Sequence, residues 1–231
     1  MKQKLILITV FLLTAVYSFS QHTDSSGARL PAYSFHVRSL TLPVVFISYG
    51  FITLSQPALQ RLNVSTNKEI KEDHPGYSNH IDNYLQYSPA LIVYGLNAAG
   101  IKGKNNFRDR TMILLLSEVF MGAVVTSLKQ ITHQQRPDSS DYLSFPSGHA
   151  ATAFAGAEFL RQEYKEVSPW IGYAGYGIAT ATGALRMYNN KHWLSDVITG
   201  AGFGILATRA AYWLYPSIKK KLFRQKNMLI Y

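Results

Sequence analysis

The sequence predicts an all-α fold, a multi-helix bundle associated with a membrane, and three observations support this prediction. Apolar stretches of helical length recur along the chain, and no alternating run typical of a strand stands between them. Proline and glycine mark the ends of these stretches. Basic residues are concentrated in segments 102–110 and 218–231, next to apolar stretches. Positive charge beside a membrane span indicates its cytoplasmic side.

The composition limits this prediction. The chain has 231 residues, enough for one domain, and a formal net charge of +10. Apolar residues make up 47% of it and the mean hydropathy is −0.02, both low for a protein that crosses a membrane many times. A basic chain suits nucleic acid, an anionic membrane or an anionic substrate. Because the chain has no cysteine, disulfides and thiolate metal sites are excluded within it.

Residues 1–20 have the pattern of a secretory signal peptide. Lys2 and Lys4 precede a short apolar run, 5–16, and serines stand one and three positions before Gln21, where cleavage would occur. An uncleaved first membrane helix is the alternative interpretation. If the signal is cleaved, the chain starts at Gln21 on the outer side of the membrane.

The N-terminal segment, 21–86, contains one apolar stretch at 40–54, which Pro43 interrupts. A full membrane span needs roughly 20 apolar residues, so this stretch predicts a short span or an interfacial helix. Residues 58–86 are polar, and His74-Pro75-Gly76 predicts a turn among them.

The core, 87–217, precedes a basic tail at 218–231, and five helices are predicted in it. If segment 102–110 and the tail are cytoplasmic, segments 129–149 and 186–196 both lie on the periplasmic side. Gly200, Gly202 and Gly204 provide the small-xxx-small pattern of close helix contacts. The number of spans stays open, because a cleaved signal requires an even number before Lys129 and three candidates are present. The five predicted helices are 89–101, 111–128, 150–164, 168–185 and 193–215.

Two of the polar segments indicate a phosphate site. Lys129 and Arg136 are seven positions apart, so a helix ending at Pro137 would present both on one side as a cationic clamp. Ser147 can cap the next helix, and free N–H groups at a helix start bind phosphate oxygens. Gly148 lets a ligand approach the backbone closely. Alone, these residues also fit a solvated basic pair and an ordinary helix cap.

The same region contains two histidines suited to phosphate transfer. His149 can give a proton to a leaving alkoxide. His192 and Asp196 are four positions apart, so the carboxylate can accept from one ring nitrogen and leave the other free to attack phosphorus. Arg186 can join the clamp. A surface His/Asp pair is the alternative, and a metal site is disfavoured because three cations stand beside these ligands.

Taken together, these residues resemble the type 2 phosphatidic acid phosphatase superfamily. The pattern of that family is Lys-x6-Arg-Pro, then Pro-Ser-Gly-His, then Ser-Arg-x5-His-x3-Asp. This sequence matches the pattern at Lys129, Arg136, Pro137, Pro146, Ser147, Gly148, His149, Arg186, His192 and Asp196.

The resemblance implies an all-helical core and catalysis without a metal or other cofactor. It implies that His192 is the nucleophile, that Asp196 orients it, and that His149 protonates the leaving group and then activates water. The remaining residues would hold phosphate oxygens, namely Lys129, Arg136, Ser147, Gly148 and Arg186.

Two departures from the family pattern affect the expected site. Leu185 stands where the family has serine, which removes one expected phosphate hydrogen bond. The segment between Pro137 and Pro146 is short, so we expect a site open toward the membrane surface that suits a bulky lipid head group.

The sequence therefore predicts a bacterial inner-membrane phosphatase whose site faces the periplasm and whose partners are a phosphorylated lipid and the membrane, without nucleic acid. Lipid A phosphate is the favoured substrate, and undecaprenyl diphosphate or phosphatidylglycerol phosphate is the alternative. A soluble periplasmic acid phosphatase would explain the low hydropathy. A non-catalytic protein that binds anionic lipid would explain the basic tail but not two aligned histidines. The oligomeric state stays open.

Overall fold

A computed structural model describes residues 37–228, and within this range the chain is all-α, as predicted. A short 3-10 turn, Val37–Leu40, precedes the first α-helix. The sixth helix lies at the centre and packs against the fourth, fifth, seventh and eighth. The helices are α1 Thr41–Thr53, α2 Pro57–Asp73, α3 Asp82–Leu85, α4 Ser88–Ala98, α5 Phe107–Thr132, α6 Gly148–Tyr164, α7 Pro169–Tyr188 and α8 Leu194–Met228.

Helices α6 and α8 approach each other closely because their facing residues are small. Ala151 and Ala155 of α6 are fully buried. A Cβ atom on Gly200 would collide with the carbonyl oxygen of Ser147, and one on Gly204 would collide with that of Ala151. The predicted close contact at these glycines is confirmed. It places the first turn of α8 directly beside the start of α6.

The outer surface of the bundle is apolar along several helices. Val119 of α5 is 65% exposed and Leu91 of α4 is 64% exposed. Exposed apolar surface of this extent is typical of a membrane or protein interface. Among the described helices, α5 is long and apolar enough to cross a bilayer. Helices α1 and α2 add a second candidate if the bent pair, with an angle of 96° between its halves, counts as one span.

The sequence assigned no helix to the polar residues 58–86, and the structure corrects this with α2. Pro57 fits the first turn of α2, where its missing N–H is not needed. The side chain of Asn63 exchanges hydrogen bonds with Ser195 at the start of α8. Polar contacts with the bundle therefore hold α2, so an apolar periodicity does not reveal it. The predicted turn at 74–76 is present, with φ of 73° at Gly76.

Different polar segments of the chain lie at the two ends of the bundle. At one end, segment 102–110 contacts the last turn of α6, where the N–H of Lys104 donates to the carbonyl of Glu163. Lys219 of α8 forms an ion pair with Asp109 at the same end. Segments 133–147 and 189–193 lie at the other end, separated from the first by the length of α5, about 39 Å for 26 residues. The proposed signal peptide, 1–20, lies outside the described residues.

Candidate active site

Four helix ends meet at the end of the bundle opposite segment 102–110. Lys129 lies in the last turn of α5, His149 in the first turn of α6, and Arg186 in the last turn of α7. His192 lies in the loop before α8, with its Nε2 atom 3.4 Å from Nη1 of Arg136. The three sequence segments predicted to act together are therefore adjacent in space.

The expected placement of Arg136 on a helix with Lys129 is wrong. Helix α5 ends at Thr132, and His133 takes a left-handed conformation with φ of 46° that terminates it. Arg136 reaches the site from the following loop instead. Its clamp with Lys129 therefore depends on how this loop is held rather than on helical periodicity.

Asp141 and the 189–193 loop fix the orientation of Arg136. Its Nε atom donates to Asp141 Oδ1 over 2.7 Å, and Nη1 donates to the carbonyl of Lys191 over 3.2 Å. The same Asp141 oxygen accepts from the N–H of Leu143 over 2.8 Å. The guanidinium is therefore held beside His192 before any phosphate arrives.

A second acidic residue fastens the short loop between Pro137 and Pro146. Asp138 Oδ2 pairs with Nζ of Lys191 at 2.6 Å, and its N–H donates to the carbonyl of Asn190. The sequence had given no role to Asp138 or Asp141. The signal that could have revealed them is the presence of two carboxylates within five positions of a cation expected to bind phosphate.

The start of α6 lies against the start of α8. Ser147 is fully buried and caps α6 by accepting from the N–H of Ala150 over 3.4 Å, which confirms the predicted cap. The N–H of Ser147 donates to the carbonyl of Asp196 over 3.0 Å. A Cβ atom on Gly148 would lie 3.9 Å from the side chain of Val125, which is an ordinary contact distance. Lys129 donates to the carbonyl of Leu143 and thus lies beside the same loop.

His192 and Asp196 are buried neighbours, and only Asp196 lies on α8, because this helix begins at Leu194. His192 Nδ1 lies 3.7 Å from Asp196 Oδ2, farther than a hydrogen bond. That oxygen accepts from Ser144 Oγ over 2.5 Å and from the N–H of Trp193 over 3.0 Å. Burial raises the pKa of Asp196 to about 6, although these hydrogen bonds oppose the rise. The carboxylate is therefore ionised at neutral pH.

Burial and positive charge keep both histidines neutral. Burial and the nearby Lys129 and Arg136 hold the pKa of His192 well below its usual range. Burial and the cation of Arg186 lower the pKa of His149 to about 4. A neutral imidazole has a free lone pair for attack on phosphorus, and the cations around it attract a phosphate dianion.

Comparison with known proteins identifies this arrangement. Residues 110–220 match the PAP2 superfamily, and this range contains all of the predicted site residues. This part of the chain is a PAP2 superfamily domain.

Two curated relatives and one solved structure are similar to this PAP2 protein. A "Lipid A 1-phosphatase" of Porphyromonas gingivalis is 36% identical over 166 residues, which cover 71% of this chain and 37% of that relative. A "Probable diacylglycerol pyrophosphate phosphatase 1" of Schizosaccharomyces pombe is 24% identical over 71% of this chain and 73% of its own length. The structure of a transmembrane PAP2 type phosphatidylglycerolphosphate phosphatase from Bacillus subtilis superposes with a TM-score of 0.51 at 21% identity, covering 78% of this chain and 96% of that one. The chain thus spans little more than a third of the length of the first relative.

Two residues outside the PAP2 match also contact the site. Arg186 Nη1 donates to Asp82 Oδ2 over 2.5 Å, and Asp82 is fully buried. His149 Nε2 lies 2.8 Å from Asn83 Oδ1. Both partners belong to α3, which sequence reasoning did not identify. Leu185, which replaces the serine of the family pattern, is the residue before Arg186 in the last turn of α7.

Proposed function

We propose that this PAP2 protein is a membrane phosphatase that removes a phosphate from a lipid through a phosphohistidine on His192. The observation that carries the proposal is the burial of His192, whose Nε2 lies 3.4 Å from the guanidinium of Arg136. A nucleophile adjacent to a fixed cation can attack a phosphorus atom whose oxygens that cation holds. The anchoring of Arg136 by Asp141 means that little reorganisation is needed when phosphate binds.

In the first step, His192 Nε2 attacks phosphorus while the ester P–O bond breaks. The charge on the phosphoryl oxygens is stabilised by Lys129, Arg136, Arg186 and the N–H groups at the start of α6. The bound phosphate anion offsets the cations around His149, so that this imidazole takes up a proton in the substrate complex. His149 then gives that proton to the leaving oxygen, so the lipid departs as an alcohol. The positive charge that develops on the His192 ring is stabilised by the nearby carboxylate of Asp196, which requires a shift of less than 1 Å from the 3.7 Å separation.

In the second step, water replaces the lipid. His149, now neutral, accepts a proton from water as its oxygen attacks phosphorus, and the P–N bond to His192 breaks. Inorganic phosphate leaves, and both imidazoles return to their starting forms. The two steps consume one water for each ester bond, so neither a metal nor a redox partner is needed for the balance.

Lipid A phosphate is the substrate that we propose first. The support is the 36% identical relative named as a lipid A 1-phosphatase, together with a short 137–146 loop that leaves room for a large head group. Undecaprenyl diphosphate and phosphatidylglycerol phosphate are the alternatives, because their phosphate groups offer the same charge to the cations. The substrate's acyl chains would lie along the exposed apolar faces of α4 and α5.

We propose that the site faces the periplasm from the bacterial inner membrane. The basic segment 102–110 lies at the opposite end of the bundle, and positive segments beside spans favour the cytoplasm. A reporter that is active only in the cytoplasm should therefore be active when fused after residue 221. A reporter that is active only in the periplasm should be inactive at the same position.

The test is phosphate release by detergent-purified protein in the presence of a chelator. Wild type and His192→Ala are compared on lipid A, undecaprenyl diphosphate, phosphatidylglycerol phosphate and a small aryl phosphate. Release from one lipid that is lost in the variant supports the proposal and identifies the substrate. Release from the aryl phosphate alone, with protein in the soluble fraction, favours a soluble acid phosphatase. Equal release by both proteins, or none from any substrate, contradicts the proposed mechanism.

A further inference from the structure

Helix α3 reaches two groups of the proposed site from a part of the chain outside the PAP2 match. Asp82 contacts Arg186 across 104 positions of sequence, and the next residue, Asn83, contacts His149 across 66 positions. Two consecutive side chains on one short turn therefore contact one phosphate-binding cation and the proposed acid. A turn placed only to cover the bundle would not require either contact.

The pair between Asp82 and Arg186 is unusually enclosed. The Asp82 side chain is fully buried, and that of Arg186 is 11% exposed. Within the described residues, Asp82 Oδ1 and Arg186 Nε are buried without a hydrogen-bond partner. The carboxylate thus holds one end of the guanidinium by a single bond, and donors of the guanidinium remain for another ligand.

We propose that Asp82 is a positioning residue that aligns Arg186 for the phosphate group, with Asn83 doing the same for His149. This inference rests on the proposed function, since it assigns a role to residues acting on the same phosphate. A planar guanidinium binds phosphate oxygens only in a narrow range of orientations, so an anchor at one end decides how well the other donors fit. Asp82 does not contact phosphate itself, because two anions would repel each other.

The test is a double-mutant cycle with orthovanadate as the probe. Its binding is measured calorimetrically on the full chain in detergent, for wild type, Asp82→Asn, Arg186→Ala and the double variant. We expect Asp82→Asn to weaken vanadate binding by about tenfold to a hundredfold, the effect of misplacing a binding group by about 1 Å. In the Arg186→Ala background the same change should have less than about a twofold effect, because the group that Asp82 positions is gone.

Three results would overturn the inference. An equal loss in both backgrounds would show that Asp82 acts through the fold rather than through Arg186. Tighter vanadate binding by Asp82→Asn would show that the carboxylate competes with phosphate. Binding like that of the wild type would show that the contact has no functional effect. Asp82→Glu, which retains the charge, should bind vanadate better than Asp82→Asn and keeps the inference testable if the amide variant does not fold.

The contact of Asn83 is exposed, so its expected effect is smaller. Asn83→Ala should lower kcat with little change in vanadate binding, because His149 acts in proton transfer rather than in holding oxygens. The matched control is Asp73→Asn, which removes an exposed carboxylate at the end of α2 and should change neither quantity. If the wild type turns over no substrate but binds vanadate in a way that depends on Asp82, the proposed function is contradicted and the positioning role remains.

Discussion

The two ends of the bundle differ in how completely their buried charged groups are hydrogen-bonded. At the end near segment 102–110, the buried Glu163 accepts from Asn105 over 2.6 Å and from the Tyr212 hydroxyl over 2.7 Å, and it lies 3.9 Å from Arg110. The end with the histidines instead has buried polar atoms that lack a hydrogen-bond partner. Within the described residues, the four buried side-chain atoms without a hydrogen-bond partner all lie there, on Asp82, Arg186, His192 and Asp196.

This difference separates groups that hold the fold from groups that await a ligand. Leaving a buried polar atom unpaired costs about 1–3 kcal/mol, so native proteins rarely retain such atoms without a reason. A satisfied network such as that of Glu163 rigidifies the helices that it joins. The unsatisfied group around His192 instead offers donors and a lone pair to a molecule with complementary charge. Variants at the two ends should therefore fail in different ways.

The largest effect is expected for the proposed nucleophile. His192→Ala should reduce phosphate release by about 10⁴-fold or more, because the variant lacks the proposed nucleophile. Vanadate binding should persist within about tenfold, since the cations that hold oxygens remain. Rapid-quench trapping of an acid-labile phosphoenzyme from wild type, and its absence from the variant, checks the role directly. A phosphoenzyme in the variant would assign the nucleophile to another residue.

Asp196→Asn is expected to have the next largest effect. Loss of the carboxylate removes the partner for the developing positive charge on His192, and activity should fall by about 10²- to 10⁴-fold. The amide oxygen can still accept from Ser144 and Trp193, so the fold should survive. Steady-state kinetics and thermal unfolding of the same preparation measure both quantities. Full activity of this variant would refute the orienting role.

Substitutions at the opposite end of the bundle should change the stability of the protein and not its catalytic rate. Arg110→Met leaves Glu163 as an uncompensated buried charge and should lower the free energy of unfolding by about 3–5 kcal/mol. The rate per folded molecule should stay near that of the wild type, because the site is at the other end. Denaturant unfolding in detergent and active-site titration test this separation. Lys68→Met, which breaks an exposed pair with Glu72, is the control and should leave the unfolding free energy almost unchanged.

The smallest expected effect is a change in the pKa of His149. Burial and Arg186 lower this pKa to about 4 in the free protein, whereas the proposed acid must be protonated when the lipid leaves. A bound phosphate dianion offsets the cations and should raise the pKa by about 1 to 3 pH units. NMR titration of labelled histidine with and without orthovanadate measures the change. A pKa that vanadate leaves unaltered would remove His149 from proton transfer.

Sequence reasoning identified what depends on local patterns. The all-α class, the cap at Ser147 and the close contact at Gly200 and Gly204 follow from residues whose conformational preference is strong by itself. The approach of the three site segments followed from their resemblance to one family pattern. The prediction that Arg136 lies on the same helix as Lys129 was wrong, because the left-handed conformation at His133 is set by how the loop packs and not by periodicity.

What the sequence could not predict depends on distant partners. Helix α2 is polar and is held by contacts such as that of Asn63 with Ser195, 132 positions away. Asp82 carries no local sign that it pairs with Arg186, since its own segment is short and aromatic. Asp141 stands near Arg136 in sequence, yet its importance appears only once the loop is folded. Long-range polar contacts leave no periodic pattern, which is why these elements were missed.

The contact between α6 and α8 at Gly200 and Gly204 fixes the relative position of two segments of the site. The helices carry His149 and the turn next to His192, so their crossing sets the spacing between the two imidazoles. Segment 74–87 carries Asp82 and Asn83, and segment 137–146 carries Asp141 and Ser144, and all four contact residues of the site. A loop graft that admits a different head group should therefore keep these four residues and vary the positions around them.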